Sequence, residues 1–267
     1  MQAETGRMKI MLAAALGAAA MAAQAATNGP VQEYVVSATR LSAPAKDVAS
    51  SVTVIDAAAI ERRQNQTAVE ILRQDVPGLD VVQSGGVGGT ASVYIRGGKP
   101  EHVLVLVDGV DVNDPSSAGR SFEWATLAAD NIERIEILRG PQSTLYGSDA
   151  IGGVVNIITR KGQGEAHGSI RAEYGSFDSF NGKAELSGST GAFNYAISLG
   201  QMYTEGISSA SEKNGNTEKD GYQATTLSGR FGWDPSPRHT FDLIVRYNNA
   251  WQQYDDFDYA TGLPVDA

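Results

Sequence analysis

The sequence predicts an α+β domain that is followed by antiparallel strands of a transmembrane β-barrel. Three observations lead to this fold class. Short helix and strand patterns alternate between residues 51 and 160, and five two-faced strand patterns follow from residue 169 to residue 247. The connections between the later strands alternate between short turns and a long polar loop, which is typical of outer-membrane barrels.

The composition excludes several classes of protein. The 267 residues include 21 Lys and Arg against 31 Asp and Glu, a net charge of −10, whereas a nucleic-acid-binding protein needs a basic surface. The chain has no cysteine, so disulfides, thiolate metal sites and a cysteine nucleophile are excluded. The three histidines are scattered, and neither a zinc-binding H-x-x-x-H nor a G-x-S-x-G elbow is present. We therefore expect neither a nucleic-acid partner nor an enzyme.

The N-terminus has the features of a signal peptide. Arg7 and Lys9 precede an apolar run over residues 10–22 that is too short to span a bilayer comfortably. An Ala-Gln-Ala cleavage site follows at residues 23–25, so we expect residues 1–25 to be removed. The alternative is a buried, alanine-rich helix. The β-prone residues 31–38 then either add as a strand to another protein's sheet or form the first strand of the local domain.

The α+β domain contains two helix patterns and six strand patterns. Asp56 can cap a first helix, and Thr67 and Glu70 have the capping-box spacing of a second, which Pro77-Gly78 ends. Asp108-Gly109 is the dipeptide that a tight hairpin turn favours. A regular βαβ repeat is missing, which favours α+β. The strand patterns are Ser51–Ile55, Leu79–Val82, Ser92–Ile95, Val103–Val107, Ile132–Leu138 and Val154–Ile158.

The strands beyond residue 168 alternate apolar and polar side chains. Short turns at residues 189–192 and 234–238 flank a long polar connection at residues 204–222. Aromatic residues lie near the strand ends, where interfacial girdles form. A soluble β-sandwich would also alternate, but these two features favour a barrel. The five strands are Ser169–Tyr174, Gly182–Gly188, Phe193–Leu199, Thr225–Trp233 and Phe241–Tyr247.

Five segments carry a resemblance to a known family: Glu33–Arg40, Leu72–Gly78, Val93–Gly97, His102–Asn113 and Ile135–Thr159. In these segments the chain resembles the TonB-dependent outer-membrane receptors, and within them the cobalamin receptors. The resemblance implies an α+β plug domain inside a barrel of about 22 strands. With about 9–11 residues per strand, such a barrel does not fit in 267 residues. We therefore expect a truncated chain that ends inside the third outer loop, with an incomplete barrel.

The resemblance also assigns the parts of the chain. Residues 1–25 become the signal peptide, 26–39 a flexible N-terminus, 40–165 the plug domain and 166–267 about the first five strands of the barrel. Within the flexible N-terminus lies the TonB box, the segment that binds the energising protein TonB: Gln32, Glu33, Tyr34, Val35, Val36, Ser37 and Ala38.

The implied function is TonB-energised uptake of a scarce large ligand, cobalamin, across the outer membrane of a Gram-negative bacterium. Its partners would be TonB, outer-membrane lipid and the ligand. A siderophore or other metal-chelate receptor of the same fold is one alternative, and a soluble periplasmic β-rich binding protein is another. Because barrel interiors are polar, charged plug residues could pair with the barrel wall; the candidates are Arg96, Arg134, Glu136 and Arg139.

The resemblance also implies two sites. Ligand contacts fall on Thr90, Ser92, Lys99, Ser117 and Ala118 of the plug, with Tyr254 in an outer loop; Thr90 takes an apolar position of the family and Lys99 a neutral one. A structural calcium ion would be held in the outer loops by Glu218, Asp220, Asp255 and Asp266, although the acid expected near Ser208 is absent. Otherwise the glycine-rich plug loops are only turns, and the outer acids are only solvated.

Overall fold

The computed structural model describes residues 34–35, 43–44, 51–64, 67–73, 76–117, 119–208, 219–258 and 263–266. Within these ranges no helix is long and apolar enough to cross a membrane. The signal peptide predicted for residues 1–25 lies outside them.

The α+β domain is built on a five-stranded sheet. Near the N-terminus, β1 (Tyr34–Val35) pairs antiparallel with β2 (Ala43–Pro44) as a separate two-stranded sheet. The main sheet has the spatial order β3-β8-β9-β6-β7, in which only β6 and β9 are parallel, while β4 and β5 form their own hairpin. These strands are β3 (Ser51–Asp56), β4 (Leu79–Gln83), β5 (Ala91–Ile95), β6 (Val103–Val107), β7 (Val110–Asp111), β8 (Ile132–Arg139) and β9 (Gly153–Thr159).

Among the described residues, three short helices accompany this sheet: α1 (Ala57–Arg63), α2 (Ala68–Arg73) and α3 (Ser143–Tyr146). The Asp56 carboxylate accepts the Ala59 N–H at 2.7 Å, and the Glu70 N–H donates to the Thr67 hydroxyl at 3.3 Å. Both predicted helix starts are therefore confirmed, because each side chain satisfies a backbone donor that the first turn leaves unpaired. Single 3₁₀ turns lie at Pro100–His102, Trp124–Thr126 and Ser148–Ala150.

The core lies on both faces of β6. Val103, Val105 and Val107 belong to one buried cluster with Ile71 of α2, and the intervening leucines pack in a second cluster with Ala150. A strand covered on both faces has an uninterrupted apolar sequence, which explains why β6 lacks the alternation of the other strands.

The second large sheet, called the wall sheet here, is an antiparallel meander in the order β10-β11-β12-β13-β14. All five predicted strands are present, and most extend beyond the predicted bounds. Residues 191–192 and 237–238 form the short turns, and residues 205–221 the long connection. The strands are β10 (His167–Tyr174), β11 (Phe180–Thr190), β12 (Phe193–Thr204), β13 (Tyr222–Ser236) and β14 (His239–Gln252).

The wall sheet has one apolar exposed face and one polar face that meets the α+β domain. Across the strands, Phe193, Trp233 and Phe241 lie in register at the short-turn end, and the last two rings stack at 5.5 Å. Tyr203 lies opposite Phe180 at the long-loop end. The ten residue steps from Phe193 to Tyr203 span about 33 Å along the strand, which a tilt near 45° reduces to about 23 Å. Two aromatic rows at that spacing match the apolar band of an outer-membrane barrel, about 25 Å tall.

A short hairpin follows the wall sheet. Its strands β15 (Asp255–Asp258) and β16 (Leu263–Asp266) pair antiparallel, with Asp255 opposite Asp266. The alternating pattern did not predict this hairpin, because its strands have only four residues each.

Candidate functional site

The α+β domain is fastened to the polar face of the wall sheet through a pair of residues just before β8. Asp130 accepts a hydrogen bond from the Thr226 hydroxyl, and its carboxylate lies 3.8 Å from the Lys183 ammonium. The Asn131 amide donates to the Ser228 hydroxyl at 3.1 Å. Both anchors lie where the chain enters β8, so they fix the central strands of the domain relative to β11 and β13.

A second contact forms at the Asp108-Gly109 turn between β6 and β7. The Asp108 carboxylate accepts the backbone N–H and hydroxyl of Thr159 at 2.9 and 2.6 Å. It also lies 3.2 Å from the Arg230 guanidinium of β13, and both side chains are largely buried, with 5% and 15% exposed. Arg230 additionally donates to the Thr159 carbonyl at 3.0 Å and to Asp242 at 3.2 Å. One arginine of the wall thus joins two strands of the α+β domain to two strands of the wall sheet.

The linker that leaves β9 continues this interface. Arg160 pairs with Glu61 of α1 and lies 3.8 Å from Glu185 of β11. Lys161 lies 3.2 Å from Asp234 of β13, and the Gly164 carbonyl accepts the Ser189 N–H at 2.8 Å. The linker is therefore bound to the wall sheet at the end that carries the short turns.

The charges expected to reach the wall have contacts within the α+β domain. Arg134 pairs with Glu133 and Glu136 at 2.8 and 2.9 Å. Arg139 donates to the Pro77 carbonyl, and Arg96 lies beside Gly140. Local sequence patterns could not identify the true contacts, because Asp108 and Arg230 are 122 residues apart; Asp108 had a sufficient local explanation as a turn residue.

The loop of residues 84–90 reaches the other end of the wall sheet, where the long connections lie. Gly88 has φ +87°, and a Cβ at this position would lie 2.3 Å from the Tyr222 ring. Nearby, Asn248 of β14, the strand that pairs with β13, donates from its amide to the Thr126 carbonyl at 2.7 Å. A cavity of ≈ 60 Å³ between domain and wall is lined by Thr67, Asp130 and Lys183 among others.

Two of the predicted ligand residues border this loop. Thr90 is exposed and Ser92 half-buried, and the Thr90 carbonyl accepts the Ser84 N–H, closing the loop at 3.0 Å. The Glu123 carboxylate holds the neighbouring Ala91 N–H at 3.0 Å. The structure thus gives these two side chains a fixed backbone at the long-loop end.

Lys99 and Ser117 form a separate group. Exposed Lys99 lies 3.3 Å from Glu101, whose side chain packs against Gly119. The Ser117 hydroxyl donates to the Asp114 carbonyl at 3.2 Å. Hydrogen bonds from the hydroxyl and N–H of Ser116 lower the pKa of the Asp114 carboxyl. Ala118, the fifth predicted plug contact, lies outside the described residues.

One backbone hydrogen bond joins the base of the long connection to the segment that follows β14: the Gly221 carbonyl accepts the Gln253 N–H at 2.9 Å. Buried Asp220 precedes Gly221, and exposed Tyr254 follows Gln253. The hydrogen bond to Glu205 raises the pKa of Lys219. Glu218 lies outside the described residues. Among the side chains that are described, no group of three or more His, Asp or Glu is placed to hold a metal ion.

Only part of the predicted TonB box is described. Tyr34 and Val35 form β1 and lie opposite Pro44 and Ala43. The backbone of this segment is therefore able to pair as a strand. The remaining residues of the segment lie outside the described ranges: Gln32, Glu33, Val36, Ser37 and Ala38.

Comparison with known proteins identifies the α+β domain. A family model described as the TonB-dependent receptor plug domain matches residues 44–154. The chain is 32% identical over 251 residues to the vitamin B12 transporter BtuB of Photobacterium profundum, with 93% of this chain and 41% of that protein covered. The chain thus spans less than half the length of this curated relative.

Solved structures give the same fold. The siderophore receptor PirA from Acinetobacter baumannii matches with a TM-score of 0.62 and 28% identity over 77% of this chain and 32% of its own. The ferric enterobactin receptor PfeA from Pseudomonas aeruginosa matches with a TM-score of 0.58 and 26% identity over 76% and 34%. The ferripyoverdine receptor of the outer membrane of Pseudomonas aeruginosa, at 18% identity, agrees in fold with a TM-score of 0.69 over 88% and 30%.

Proposed function

Because this chain belongs to the TonB-dependent receptor family, we propose that it is the plug-bearing part of an outer-membrane receptor for TonB-energised uptake of cobalamin. The observation that supports cobalamin as the ligand is the 32% identity to a vitamin B12 transporter over 93% of this chain. The apolar outer face of the wall sheet supports a location in lipid, where strands are the only alternative to helices.

Release of a tightly bound ligand from the receptor requires energy. A scarce ligand requires tight binding, and tight binding requires energy for release. The outer membrane has no nucleotide supply, so the energy has to come mechanically from a partner in the inner membrane, TonB. The residues of the TonB box would pair with TonB through main-chain hydrogen bonds, as strand addition does elsewhere. The pairing of Tyr34 and Val35 with β2 supports this strand character.

The ligand would meet the plug at the long-loop end of the wall sheet. Thr90 and Ser92 border the loop that contacts Tyr222 and Gln252, and Tyr254 is exposed immediately beyond that point. Lys99, Ser117 and Ala118 would add contacts from the second group of plug loops. The polar side chains of Thr90, Ser92, Lys99 and Ser117 would suit a ligand with many amide groups.

Calcium would order the outer loops. Asp255 and Asp266 are opposed in the β15–β16 register, and Asp220 lies at the base of the neighbouring loop. With Glu218, these acids offer several carboxylate oxygens to an ion that takes six to eight oxygen ligands. The donor set therefore fits calcium, which would hold the two loops together by charge neutralisation.

A siderophore receptor is the second candidate. The identities of 28% and 26% to solved siderophore and ferric enterobactin receptors support it. The cationic side chain of Lys99 would suit an anionic ferric chelate. This alternative shares every mechanical feature and differs only in the ligand.

The deciding experiment expresses the protein from its own gene in a Gram-negative strain that lacks its cobalamin transporter. We expect uptake of radiolabelled cyanocobalamin, and its loss in a host without TonB. Rescue of growth by ferric chelates without cobalamin uptake would replace the first candidate with the second. Recovery of the protein in the soluble periplasmic fraction, without detergent, would contradict both receptor functions.

A further inference from the structure

The loop between β7 and the Trp124–Thr126 turn has an arginine at an unusual backbone position. Arg120 has φ +51°, a left-handed conformation that is unfavourable for an L-residue with a Cβ. Its guanidinium lies 3.0 Å from Asp111 and 3.0 Å from Asp149 through separate nitrogens. Such strain persists where surrounding contacts hold it in place. We call these three residues the Arg120 clip.

The clip closes the loop on itself and onto a rigid base. Asp111 accepts Arg120 with one oxygen and the Asn113 N–H at 2.9 Å with the other. Asp149 belongs to the 3₁₀ turn that ends in fully buried Ala150. Arg120, near the end of the loop, is therefore joined both to the last residue of β7 and to a turn anchored in the core.

Asn113 provides the inner anchor of the same loop. Its amide oxygen accepts the Val105 N–H at 2.8 Å, and its amide nitrogen donates to the carbonyls of Val103 and Arg120 at 3.0 and 2.8 Å. Because Asn113 is buried and bonded to β6, it fixes the base of the loop whether or not the ligand is bound. Arg120 is half-exposed, so it is the anchor that can open without disturbing the core.

From this geometry we propose that Arg120 is a positioning residue for ligand capture, which clips the loop bearing Ser117 onto Asp149. The inference rests on the proposed ligand contact at Ser117. An isolated exposed ion pair contributes little to stability. Here one guanidinium is shared by two carboxylates, so the network joins the loop to β7 and to the 3₁₀ turn that contains Asp149. Without the clip, the ligand would have to order the loop as it binds, which weakens affinity.

The test compares four variants of the protein, expressed from its own gene and extracted in detergent. Arg120→Asn keeps a residue that tolerates the left-handed conformation but is too short to bridge to Asp149. Arg120→Lys keeps the charge with a single donor group. Asp149→Asn removes one carboxylate charge. Arg62→Asn is the matched control, an exposed arginine on α1.

Amide hydrogen exchange of the peptide over residues 111–120 measures the clip directly. We expect exchange about tenfold faster in Arg120→Asn and Asp149→Asn, which corresponds to about 1.4 kcal/mol of local opening. Arg120→Lys should recover part of the protection, and Arg62→Asn should match the wild type. Salt of about 1 M, which shortens the Debye length to about 3 Å and so weakens exposed ion pairs, should speed exchange in the wild type and leave Arg120→Asn unchanged. Unchanged exchange in Arg120→Asn would overturn the clip.

Binding of radiolabelled cyanocobalamin measures the positioning role. We expect Kd to rise about five- to tenfold in Arg120→Asn, with partial recovery in Arg120→Lys. Faster loop exchange with an unchanged Kd would overturn the positioning role. If the wild type binds no cyanocobalamin, the proposed function fails, and the clip is decided by the exchange experiment alone.

Discussion

Asp108 combines a turn conformation with an interface contact. Its φ of +50° is tolerated by Asp and Asn better than by other residues with a Cβ, and its carboxylate serves both Thr159 and Arg230. A hairpin turn alone would accept glycine or asparagine here. The charge matters because Arg230 is largely buried, and a buried charge is costly when it loses a partner. Asp242, at 3.2 Å, is a second carboxylate that the structure places beside this guanidinium.

Asp108→Asn should therefore lower the free energy of unfolding by about 1–3 kcal/mol, the cost of a buried polar group that loses one partner, because Arg230 keeps its contact with Asp242. Asparagine retains the turn conformation, so the loss reports the charge. Urea denaturation of the detergent-extracted protein measures it, with the exposed Asp80→Asn as control, for which we expect less than about 0.5 kcal/mol. Equal stability of both variants would show that the pair makes no net contribution.

Two glycines in one loop offer a matched comparison. A Cβ on Gly88 would collide with Tyr222, whereas a Cβ on Gly86 would meet nothing within 4 Å. We expect Gly88→Ala to destabilise the protein by about 1–3 kcal/mol, as overpacking does, and to weaken cobalamin binding, while Gly86→Ala should match the wild type in both. Thermal unfolding and a binding isotherm are sufficient. A normal Gly88→Ala protein would contradict the close approach of plug loop and wall.

At the scale of elements, periodicity predicted most of the fold. All five strands of the wall sheet and the six longer strands of the plug lie where their patterns place them, because each pattern reflects which face is buried. The contacts between the two sheets were not predictable. Residues such as Asn131 and Ser228, which meet across 97 positions of sequence, have no local pattern that pairs them.

The exposed face of β14 tests its contact with lipid. Val245 lies on the apolar face, about midway between Phe241 and Trp251, whereas Gln223 lies on the same face level with Trp251. Arginine at Val245 should cost about 2–4 kcal/mol in a phospholipid bilayer, and arginine at Gln223 about 0–1 kcal/mol. Unfolding of the bilayer-inserted protein measures both. Equal costs would indicate a water-exposed sheet.

The β1 segment gives a prediction about transport. Proline at Val35 removes a backbone donor, so it should abolish TonB-dependent cobalamin uptake and leave cobalamin binding unchanged. Val35→Thr keeps the N–H and a β-branched side chain, and we expect it to support normal uptake. Transport assays and binding assays on the same cells separate the two effects. Normal uptake by Val35→Pro would refute strand addition at this position.

The chain matches only part of each related receptor. The solved receptors are matched over about a third of their lengths, and the curated relative over 41%. The candidate site is the part that sequence predicted least well. The predicted ligand residues fall into two separate loop groups, and four of the interface residues that hold the plug were found only through their contacts: Asp108, Asp130, Arg230 and Asp234.

Calcium would join outer loops that are far apart in sequence. We expect calcium at millimolar concentration to change the fluorescence of Trp251 and Tyr254 and to raise cobalamin affinity, and a chelator to reverse both. The double substitution Asp255→Asn and Asp266→Asn should abolish the response, whereas Asp80→Asn should retain it. An unchanged signal in the wild type would exclude calcium from these loops.

The distance along the chain between Asp108 and Arg230 sets the earliest time at which their ion pair can form during synthesis. The two residues are 122 positions apart, so at a synthesis rate of about 5–20 residues per second the first waits about 6–25 s for the second. During that interval the Asp108 carboxylate can bond to Thr159, which is 51 positions away, but it has no arginine partner. The ion pair between plug and wall can therefore form only after β13 has been made.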